Sequence, residues 1–320
     1  MNKLTLKRLL AFLLCIVLLF GALSCAQNEP KPEVEQKDDV TFTDALGRKV
    51  HIKKNPERVA ALLGSFADIW MLAGGSLCAA AEDAWEDFGL ALDAVNLGGA
   101  HSPSLEKLIA AAPDLVLASA STASNVEMED ALEAMGIAVV YFDVDNFDDY
   151  LHMLDLCTEL TGRKDLYQQN GLVLKEEIDA IKTAYQNADL SEKEQRILLL
   201  RASSSTVKAK GSRGTILGEM LADIGCINIA DRDTMLLENL SVEEVIREEP
   251  YRIFVVTMGS NTEAAHESLK NMIKENPAWS TLDALESGRL YIMDKTLFNL
   301  KPNRRWAEAY AILYEKLTEN

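Results

Sequence analysis

Residues 104–119 read SLEKLIAAAPDLVLAS, and residues 241–256, SVEEVIREEPYRIFVV, repeat the same unit. In each copy a serine is followed two residues later by a glutamate and nine residues later by a proline, before an apolar run. The serine predicts a helix N-cap, the proline ends the helix, and the apolar run is typical of a buried strand. The repetition of this helix–strand unit indicates that the chain folds into two related halves.

The sequence around each copy alternates short strand signals with short helix signals, which predicts parallel sheets covered by helices. Between the two copies, residues 146–188 show no strand signal, and their apolar residues recur at three- and four-residue steps. A helix of about 23 residues spans ~35 Å, roughly the diameter of a domain. We therefore predict an α/β fold with two Rossmann-like lobes joined by one long helix. A single wide doubly wound domain is the competing architecture.

The N-terminal segment differs from the rest of the chain. Lys3, Lys7 and Arg8 precede an apolar run of 15 residues, 9–23, and residues 1–24 contain no acid. This pattern predicts a secretory signal, and the apolar run is shorter than the ~20 residues needed to span a bilayer. We therefore expect an exported protein.

Cleavage of the signal is expected before Cys25, because GALSC (21–25) resembles a bacterial lipobox, with Ala22 where leucine is usual. A diacylglycerol on Cys25 supplies two acyl chains, enough for stable anchoring at the outer face of the cytoplasmic membrane. The predicted parts of the chain are a signal peptide (1–24), a lipidated tether (25–39), a first lobe (40–162), a connecting helix (163–190) and a second lobe (191–320).

Composition excludes several classes of function. The net charge of −18 argues against a nucleic-acid partner, which requires a basic stripe. Cys78, Cys157 and Cys226 are widely spaced in apolar contexts, so we expect small buried hydrophobes rather than disulfides. The chain has no CxxC or HExxH motif, and a structural zinc site is not indicated.

The two repeated glutamates, Glu106 and Glu243, are predicted to lie in the first turn of their helices. A carboxylate there stabilises a helix by ~0.3–1 kcal/mol through the helix dipole, which explains either residue alone. It does not explain the matched pair, because aspartate or glutamine would serve at either place. Two lobes related by a pseudo-twofold axis would present the pair to two basic sockets on a symmetric partner, where charges steer and orient docking.

The chain resembles the substrate-binding proteins of the cobalamin, haem and iron-siderophore importers. The resemblance rests on TFTDALGRKVHIKKNPERVAAL (41–62), the two copies above, GTILGEMLADIGCINIA (214–230) and LFNLKPNRRWAEAYAILYEKL (297–317). It implies a monomer without intrinsic cofactor or reaction that binds an iron or cobalt chelate between its lobes and delivers it to an ABC permease dimer. By position, Glu106 and Glu243 match the glutamates that contact permease arginines in this family.

Ligands of open α/β sheets bind beyond the carboxyl ends of the strands, and this rule selects the candidate binding residues. They are Ser65, Phe66, His101, Ser121, Lys208, Lys210, Arg213, Leu237, Met258, Phe298 and Asn299.

His101 is the most specific of these candidates. It is predicted to ligate haem iron (with Met258 as the second axial ligand), to contact a siderophore oxygen, or to pack on a corrin. An exposed loop histidine with no role is the alternative.

Lys208, Lys210 and Arg213 form a basic island in a loop rich in glycine and serine, which predicts an anion site. A solvated run of charge is the alternative.

Two other classes of function compete with a binding protein. An exported hydrolase or metalloenzyme would place its site in the same cleft, but the sequence contains no GxSxG motif and no spaced histidine pair. A scaffold lipoprotein would not require two sets of loops that face a cleft.

Overall fold

The computed structural model describes residues 39–232, 234–259 and 261–319, which belong to one compact unit, Asp39–Asn320. The predicted signal peptide, the lipidation site Cys25 and the tether up to residue 38 lie outside the described residues. None of the described helices is both long and apolar enough to cross a lipid bilayer. We keep the predicted names, first lobe for residues 40–162 and second lobe for residues 191–320.

An antiparallel hairpin opens the described chain. Strand β1 (Asp39–Thr43) pairs with β2 (Lys49–Lys53), with Val40 opposite Ile52. The turn between these strands is hydrogen-bonded to the rest of the first lobe, because Ala45 N donates to Tyr141 O at 2.9 Å.

The first lobe is built on a five-stranded sheet with strand order β5-β4-β3-β6-β7, in which every pairing is parallel. Its strands are β3 (Val59–Ala61), β4 (Leu77–Ala80), β5 (Val95–Asn96), β6 (Leu115–Ser119) and β7 (Ala138–Phe142). Its helices are α1 (Gly64–Leu72), α2 (Asp83–Glu86), α3 (Leu105–Ala110), α4 (Ala123–Val126) and α5 (Glu129–Ala134). The chain reverses its direction of winding between β3 and β6, so the switch point where such sheets bind ligands lies there.

Helices connect the two sheets. They are α6 (Phe147–Leu160), α7 (Lys164–Tyr167) and α8 (Val173–Gln186). A π-helical segment, Gln168–Leu172, joins α7 to α8, so the predicted long helix is present but contains a wider turn that the sequence did not signal. Gly171 lies in this segment, where an added Cβ would be 3.0 Å from Leu151 Cδ2 on α6.

The second lobe contains a separate five-stranded sheet, with parallel order β10-β8-β11-β12 and β9 antiparallel to β8. Its strands are β8 (Arg196–Ala202), β9 (Val207–Lys210), β10 (Ile227–Asn228), β11 (Arg252–Thr257) and β12 (Leu290–Met293). Its helices are α9 (Glu192–Gln195), α10 (Ile216–Ile224), α11 (Thr234–Asn239), α12 (Val242–Glu248), α13 (Thr262–Glu275), α14 (Asp283–Glu286), α15 (Lys295–Phe298) and α16 (Trp306–Thr318).

Strand β9 corrects one expectation, because residues 203–215 were predicted to form a loop. Within this range Val207 and Ala209 alternate with lysines, and Ala209 is buried. Alternation over only four residues is a weak signal, and the pairing with β8 supplies the hydrogen bonds that the short segment lacks by itself.

Both copies of the repeated unit have the predicted structure. Helix α3 is followed by β6, and α12 is followed by β11. Each helix is capped by its serine, because Ser104 Oγ accepts from Lys107 N at 3.3 Å and Ser241 Oγ accepts from Glu244 N at 3.4 Å. The predicted fold class, two Rossmann-like lobes with largely parallel sheets, is confirmed.

The inner faces of the two sheets pack into one shared apolar core. This core contains Leu117 of β6 and Leu199 of β8, together with buried residues of α1, α6, α8, α10 and α16. The outer faces have clusters of their own, one around Val116 in the first lobe and one around Leu198 in the second. The lobes are therefore joined by a common hydrophobic layer in addition to the connecting helix.

Trp306, at the start of α16, lies in the centre of this shared core. Its ring is fully buried and contacts Phe147 of the first lobe edge-on, with centroids 5.8 Å apart. The rings of Tyr150 and Tyr310 lie on either side, each with its centroid 6.4 Å from that of Trp306. A buried aromatic cluster of this kind contributes both burial and ring-packing energy.

Trp306→Ala is expected to lower the free energy of unfolding by about 3–5 kcal/mol, because it opens a cavity in the core that both lobes use. Trp306→Phe is the matched control and is expected to cost less than about 1.5 kcal/mol. It fills most of the volume and removes an indole N–H that is buried without an acceptor. Urea unfolding monitored by circular dichroism measures both values. Two separate transitions in the wild-type protein would contradict a shared core.

Candidate functional site

A cavity of about 550 Å³ lies between the two lobes at the carboxyl ends of their strands. Its first-lobe wall includes Leu63 and Ser65 after β3, and Ser119 and Ser121 at the end of β6. These two strands flank the switch point of the first sheet, which is where ligands of this architecture bind. Its second-lobe wall is formed by Met258 and Gly259 after β11, and by Lys295, Asn299, Leu300 and Lys301 around α15. The volume is in the range of small-molecule sites, about 300–1,000 Å³.

The structure brings five of the predicted binding residues together around this cavity, three from the first lobe and two from the second. They are Ser65, His101, Ser121, Met258 and Asn299. Met258 is an apolar side chain that is 45% exposed, which makes it available to a ligand.

The other predicted residues do not line the cavity. Phe66 and Phe298 are buried in the shared core, where Phe66 packs edge-on against Phe142, so the expectation that their rings face a ligand is corrected. Each lies several residues after the end of a strand. Phe66 is in α1 and Phe298 in α15, and both rings point into the core rather than into the cavity. Leu237, on α11, is 38% exposed and is absent from the cavity wall.

The basic island is divided by the structure. Lys208 and Lys210 lie on β9, whereas Arg213 lies beyond the strand with its side chain 89% exposed. Arg213 Nη1 is 3.2 Å from Glu219 Oε2, so its charge already has a partner. A single loop site that contains all three cations is therefore not formed.

Acidic residues that the sequence analysis missed occupy much of the first-lobe wall. They are Glu82, Asp83, Glu86 and Asp87, from AEDAWED (81–87), which follows β4. The rule that selected the other candidates applies equally to the end of β4 and would have found them. Among the described residues, no lysine or arginine forms an ion pair with Glu82 or Glu86.

Asp83 is fixed close to the switch point. Its Oδ2 accepts from Gly64 N at 2.9 Å, and a Cβ on Gly64 would be only 2.5 Å from Ala84 N. The absence of a side chain at Gly64 therefore lets α1 begin against α2. Burial raises the pKa of Asp83, while the Gly64 N–H and the nearby His101 act in the opposite direction.

His101 is an exposed residue of the cavity wall, so the geometry leaves its ring available to a ligand. The described residues contain no group of three or more His, Cys, Asp or Glu side chains arranged to hold a metal ion. Ligation of a chelated metal by His101, with or without Met258, stays a prediction.

Polar contacts connect the lobes across the floor and rim of the cavity. Lys295 Nζ is 3.1 Å from Asp87 Oδ1, which makes a partly buried ion pair between the lobes. Asn303 Nδ2 donates to Ser65 O at 2.9 Å and to Asp68 Oδ2 at 2.8 Å. Asn303 is fully buried and has a left-handed backbone with φ of 51°, so the structure holds it in a specific conformation.

Glu106 and Glu243 are both exposed in the first turns of their helices. Ser241 Oγ donates to Glu243 Oε2 at 3.0 Å, and the pKa of Glu243 is lowered by a backbone N–H and by this hydroxyl. Glu243 is therefore ionised over the physiological pH range. Burial in the same helices is confined to their apolar faces, which leaves both carboxylates accessible to a partner.

The three cysteines of the described residues, Cys78, Cys157 and Cys226, are free thiols away from the cavity. Cys157 is fully buried, as expected, whereas Cys78 and Cys226 are half-buried. Burial raises the pKa of Cys226 to about 12, so this thiol is not ionised at neutral pH.

Comparison with known proteins adds to this geometry. A sequence model of the family described as periplasmic binding protein matches residues 59–297. The chain is similar to the ABC transporter substrate-binding lipoprotein YvrC of Bacillus subtilis (strain 168), with 24% identity over 292 residues that cover 90% of this chain and 89% of YvrC. It is also similar to the Fe(3+)-citrate-binding protein YfmC of the same organism, with 23% identity over 92% of this chain and 90% of YfmC.

Among solved structures, the fold is similar to that of Staphylococcus aureus SirA complexed with staphyloferrin B. The TM-score is 0.67 at 20% sequence identity, over 87% of this chain and 98% of SirA.

Asn303→Ala is expected to lower the free energy of unfolding by about 2–3 kcal/mol, because it removes two hydrogen bonds between the lobes and leaves alanine in a left-handed conformation. Asn303→Gly loses the same bonds without the conformational strain and is expected to be about 1 kcal/mol more stable than Asn303→Ala. Chemical denaturation of the three proteins measures the differences. This role would be refuted if Asn303→Ala left the free energy of unfolding unchanged, or if Asn303→Gly were less stable than Asn303→Ala.

Proposed function

The chain belongs to the periplasmic binding protein family, and from that membership we propose that it captures a small-molecule metal chelate between its lobes and delivers it to an ABC import permease. The observation that carries the proposal is the cavity between the lobes, which joins the switch point of the first sheet to the carboxyl ends of the second. YfmC, similar over nine-tenths of both chains, is named as a binding protein for Fe(3+)-citrate, which supports a chelate as the ligand class. The ferric siderophore, haem and corrinoid classes are the candidates.

We propose that the protein is exported and anchored through Cys25 to the outer face of the cytoplasmic membrane. The basic and apolar pattern of residues 1–24 supports export, and GALSC supports lipidation. YvrC is named as a lipoprotein and is similar over most of its length. Residues 26–38 are polar and contain proline, a composition suited to a tether.

The alternative of an exported hydrolase or metalloenzyme receives no support from the cavity. Four hydroxyl side chains line the cavity, those of Ser65, Ser119, Ser121 and Thr122. Ser119 and Ser121 bond to each other at 3.1 Å, and no base of the described chain bonds to any of the four hydroxyls. Serine catalysis requires an adjacent general base. Membership in a family of binding proteins favours a protein without a reaction of its own.

We propose that Glu106 and Glu243 dock the loaded protein on the two halves of the permease. Support comes from their equivalent places in the repeated unit and from the exposure of both carboxylates. Each lobe then carries one docking acid, which matches a partner with twofold symmetry. A monomeric binding protein suffices for this arrangement.

The lobes are proposed to move little when ligand binds. The shared core buries side chains of both sheets and of the helices between them, so a large rotation would expose apolar surface. The Asn303 hydrogen bonds and the ion pair of Lys295 with Asp87 oppose separation as well.

Titration of the detergent-solubilised full chain against chelates of known class tests the proposed function. Calorimetry with haemin, cyanocobalamin, ferric citrate, a ferric tricatecholate and a ferric trihydroxamate is expected to give one-to-one binding for at least one class, with Kd of about 1 µM or tighter. His101→Ala is expected to weaken that binding about tenfold, whereas His152→Ala, an exposed histidine on α6, is expected to leave it unchanged. Absence of binding by every class would overturn the proposed function.

Small-angle scattering of the same sample, with and without its ligand, tests the rigidity of the lobes. The two profiles are expected to superimpose, because the shared core resists closure. A marked decrease in the radius of gyration on loading would show that the lobes close.

The docking role is tested by the double variant Glu106→Ala/Glu243→Ala. Cellular uptake of the chelate is expected to fall at least tenfold, because both contacts to the permease are lost, while the affinity for the chelate is unchanged. Glu176→Ala/Glu177→Ala is the matched control, since it removes two exposed acids of α8 that have no ion-pair partner among the described residues. Normal uptake by the first double variant would exclude the docking role.

A further inference from the structure

Three cations lie together on the inner face of the second sheet. In the register of β8 with β9, Arg201 is opposite Lys208 and Leu199 is opposite Lys210. Residues directly opposite each other, and residues two apart along one strand, project from the same face of a sheet. Because Leu199 belongs to the shared core, Arg201, Lys208 and Lys210 project from the face of the second sheet that contributes to that core. We call these three residues the inner-face cations.

The guanidinium and ammonium groups of the inner-face cations form no hydrogen bond or ion pair with any described residue. The Nε of Arg201 is buried without an acceptor. Burial lowers the pKa of Arg201, and burial together with repulsion from Arg201 and Lys208 lowers the pKa of Lys210. The three like charges therefore lie side by side without a bonded partner among the described residues.

This arrangement is unusual for a chain with 50 acidic and 32 basic residues, where partners are plentiful. Arginines elsewhere do find them, as Arg48 does with Asp44 at 2.7 Å and Arg289 with Asp283 at 2.6 Å. Arg201 and Lys210 are partly buried, whereas Lys208 is exposed. A partly buried cation without a partner costs stability, and neighbouring cations add to the cost. A bound anion would remove both penalties at once.

The inner-face cations do not line the cavity themselves, but the sheet links Arg201 to the second-lobe wall. Arg201 is paired in the sheet with Val256 of β11, and Met258, two residues further along, lines the cavity. Met258 N donates to Ala202 O at 2.8 Å, so the residue after Arg201 is bonded directly to the wall. The opposite, first-lobe wall carries Glu82, Asp83 and Glu86, and the two walls therefore differ in charge.

We propose that Arg201, Lys208 and Lys210 bind the anionic oxygen groups of the chelate, and that the ligand of this protein is accordingly an anionic chelate oriented with those groups toward the second lobe. The inference rests on the proposed function and narrows its ligand class. Carboxylates and catecholates share the chemistry that a guanidinium and two ammonium groups recognise. The acids of the first-lobe wall repel the same groups and so favour one orientation.

The ligand class is tested with the full chain in detergent and with probes that differ in charge. Ferric citrate, a ferric tricatecholate and haemin carry anionic oxygens, whereas cyanocobalamin carries no carboxylate and an amine-bearing ferric trihydroxamate is cationic. At least one anionic probe is expected to bind at least tenfold more tightly than the uncharged and cationic probes. Its binding is expected to weaken as NaCl is raised, because salt screens the charges.

The residues are tested with Arg201→Met and Lys208→Met/Lys210→Met. Each is expected to weaken binding of the anionic probe about 10- to 100-fold, since each removes hydrogen bonds to a charged group. Arg201→Met is also expected to keep or raise the melting temperature, because it removes a buried charge without a partner. If Arg201 had only a structural role, Arg201→Met would instead lower the melting temperature. Arg201→Lys keeps the positive charge and is expected to retain part of the affinity that Arg201→Met loses.

Arg213→Met is the matched control, because it removes one positive charge that is exposed and already paired with Glu219. It is expected to leave the affinity unchanged. Preferential binding of cyanocobalamin or of the cationic trihydroxamate, unaffected by Arg201→Met and by the lysine pair, would overturn the inference while the proposed function stands. Failure of every probe to bind would overturn both the inference and the proposed function.

Discussion

The apolar layer shared by the inner faces of the two sheets is the constraint on which the rest of the molecule depends. Leu117 of the first sheet and Leu199 of the second belong to the same buried cluster, although the sheets share no hydrogen bonds. Burial of apolar surface contributes about 25 cal/mol per Å², so separating the lobes would cost far more than breaking the few polar contacts between them. This shared layer supports the proposal that the lobes move little and that the cavity at its edge is preformed.

A preformed cavity changes what binding has to supply. In a protein whose lobes close over a ligand, part of the binding energy is used for the closure. The proposed rigidity would make that cost small here, and the contacts of Asn303 and Lys295 between the lobes support it. Recognition by the permease then requires another signal than a large change of shape. Under the proposed docking role, that signal would come from the two exposed acids, Glu106 and Glu243, at equivalent places on the two lobes.

The fold could be predicted because the repeated unit contains its local signals twice. These signals are a serine at the helix N-cap, a proline that ends the helix and an apolar run that forms the strand. The sequence predicted the cavity only in part, because the rule of strand ends locates a region and not the direction of each side chain. Phe66 and His101 both follow strands of the first lobe, but Phe66 turns into the core at the first turn of α1 while His101 stays exposed. Asn303 was missed because its role depends on contacts to Ser65 and Asp68, more than 230 positions earlier in the chain.

Arg201 shows most clearly why the pairing register of the strands was needed to find part of the candidate site. In the sequence it is one polar residue at the end of an apolar run, RILLLRAS (196–203), and nothing local distinguishes it from an arginine that reaches solvent at a strand end. Pairing with β9 sets it beside Lys208 and on the same face as Leu199, so that residues separate in the sequence form one basic cluster on the sheet. Selection for stability alone would replace an unpaired cation at the margin of an apolar core, so its presence there is explained by a partner that arrives from outside the chain.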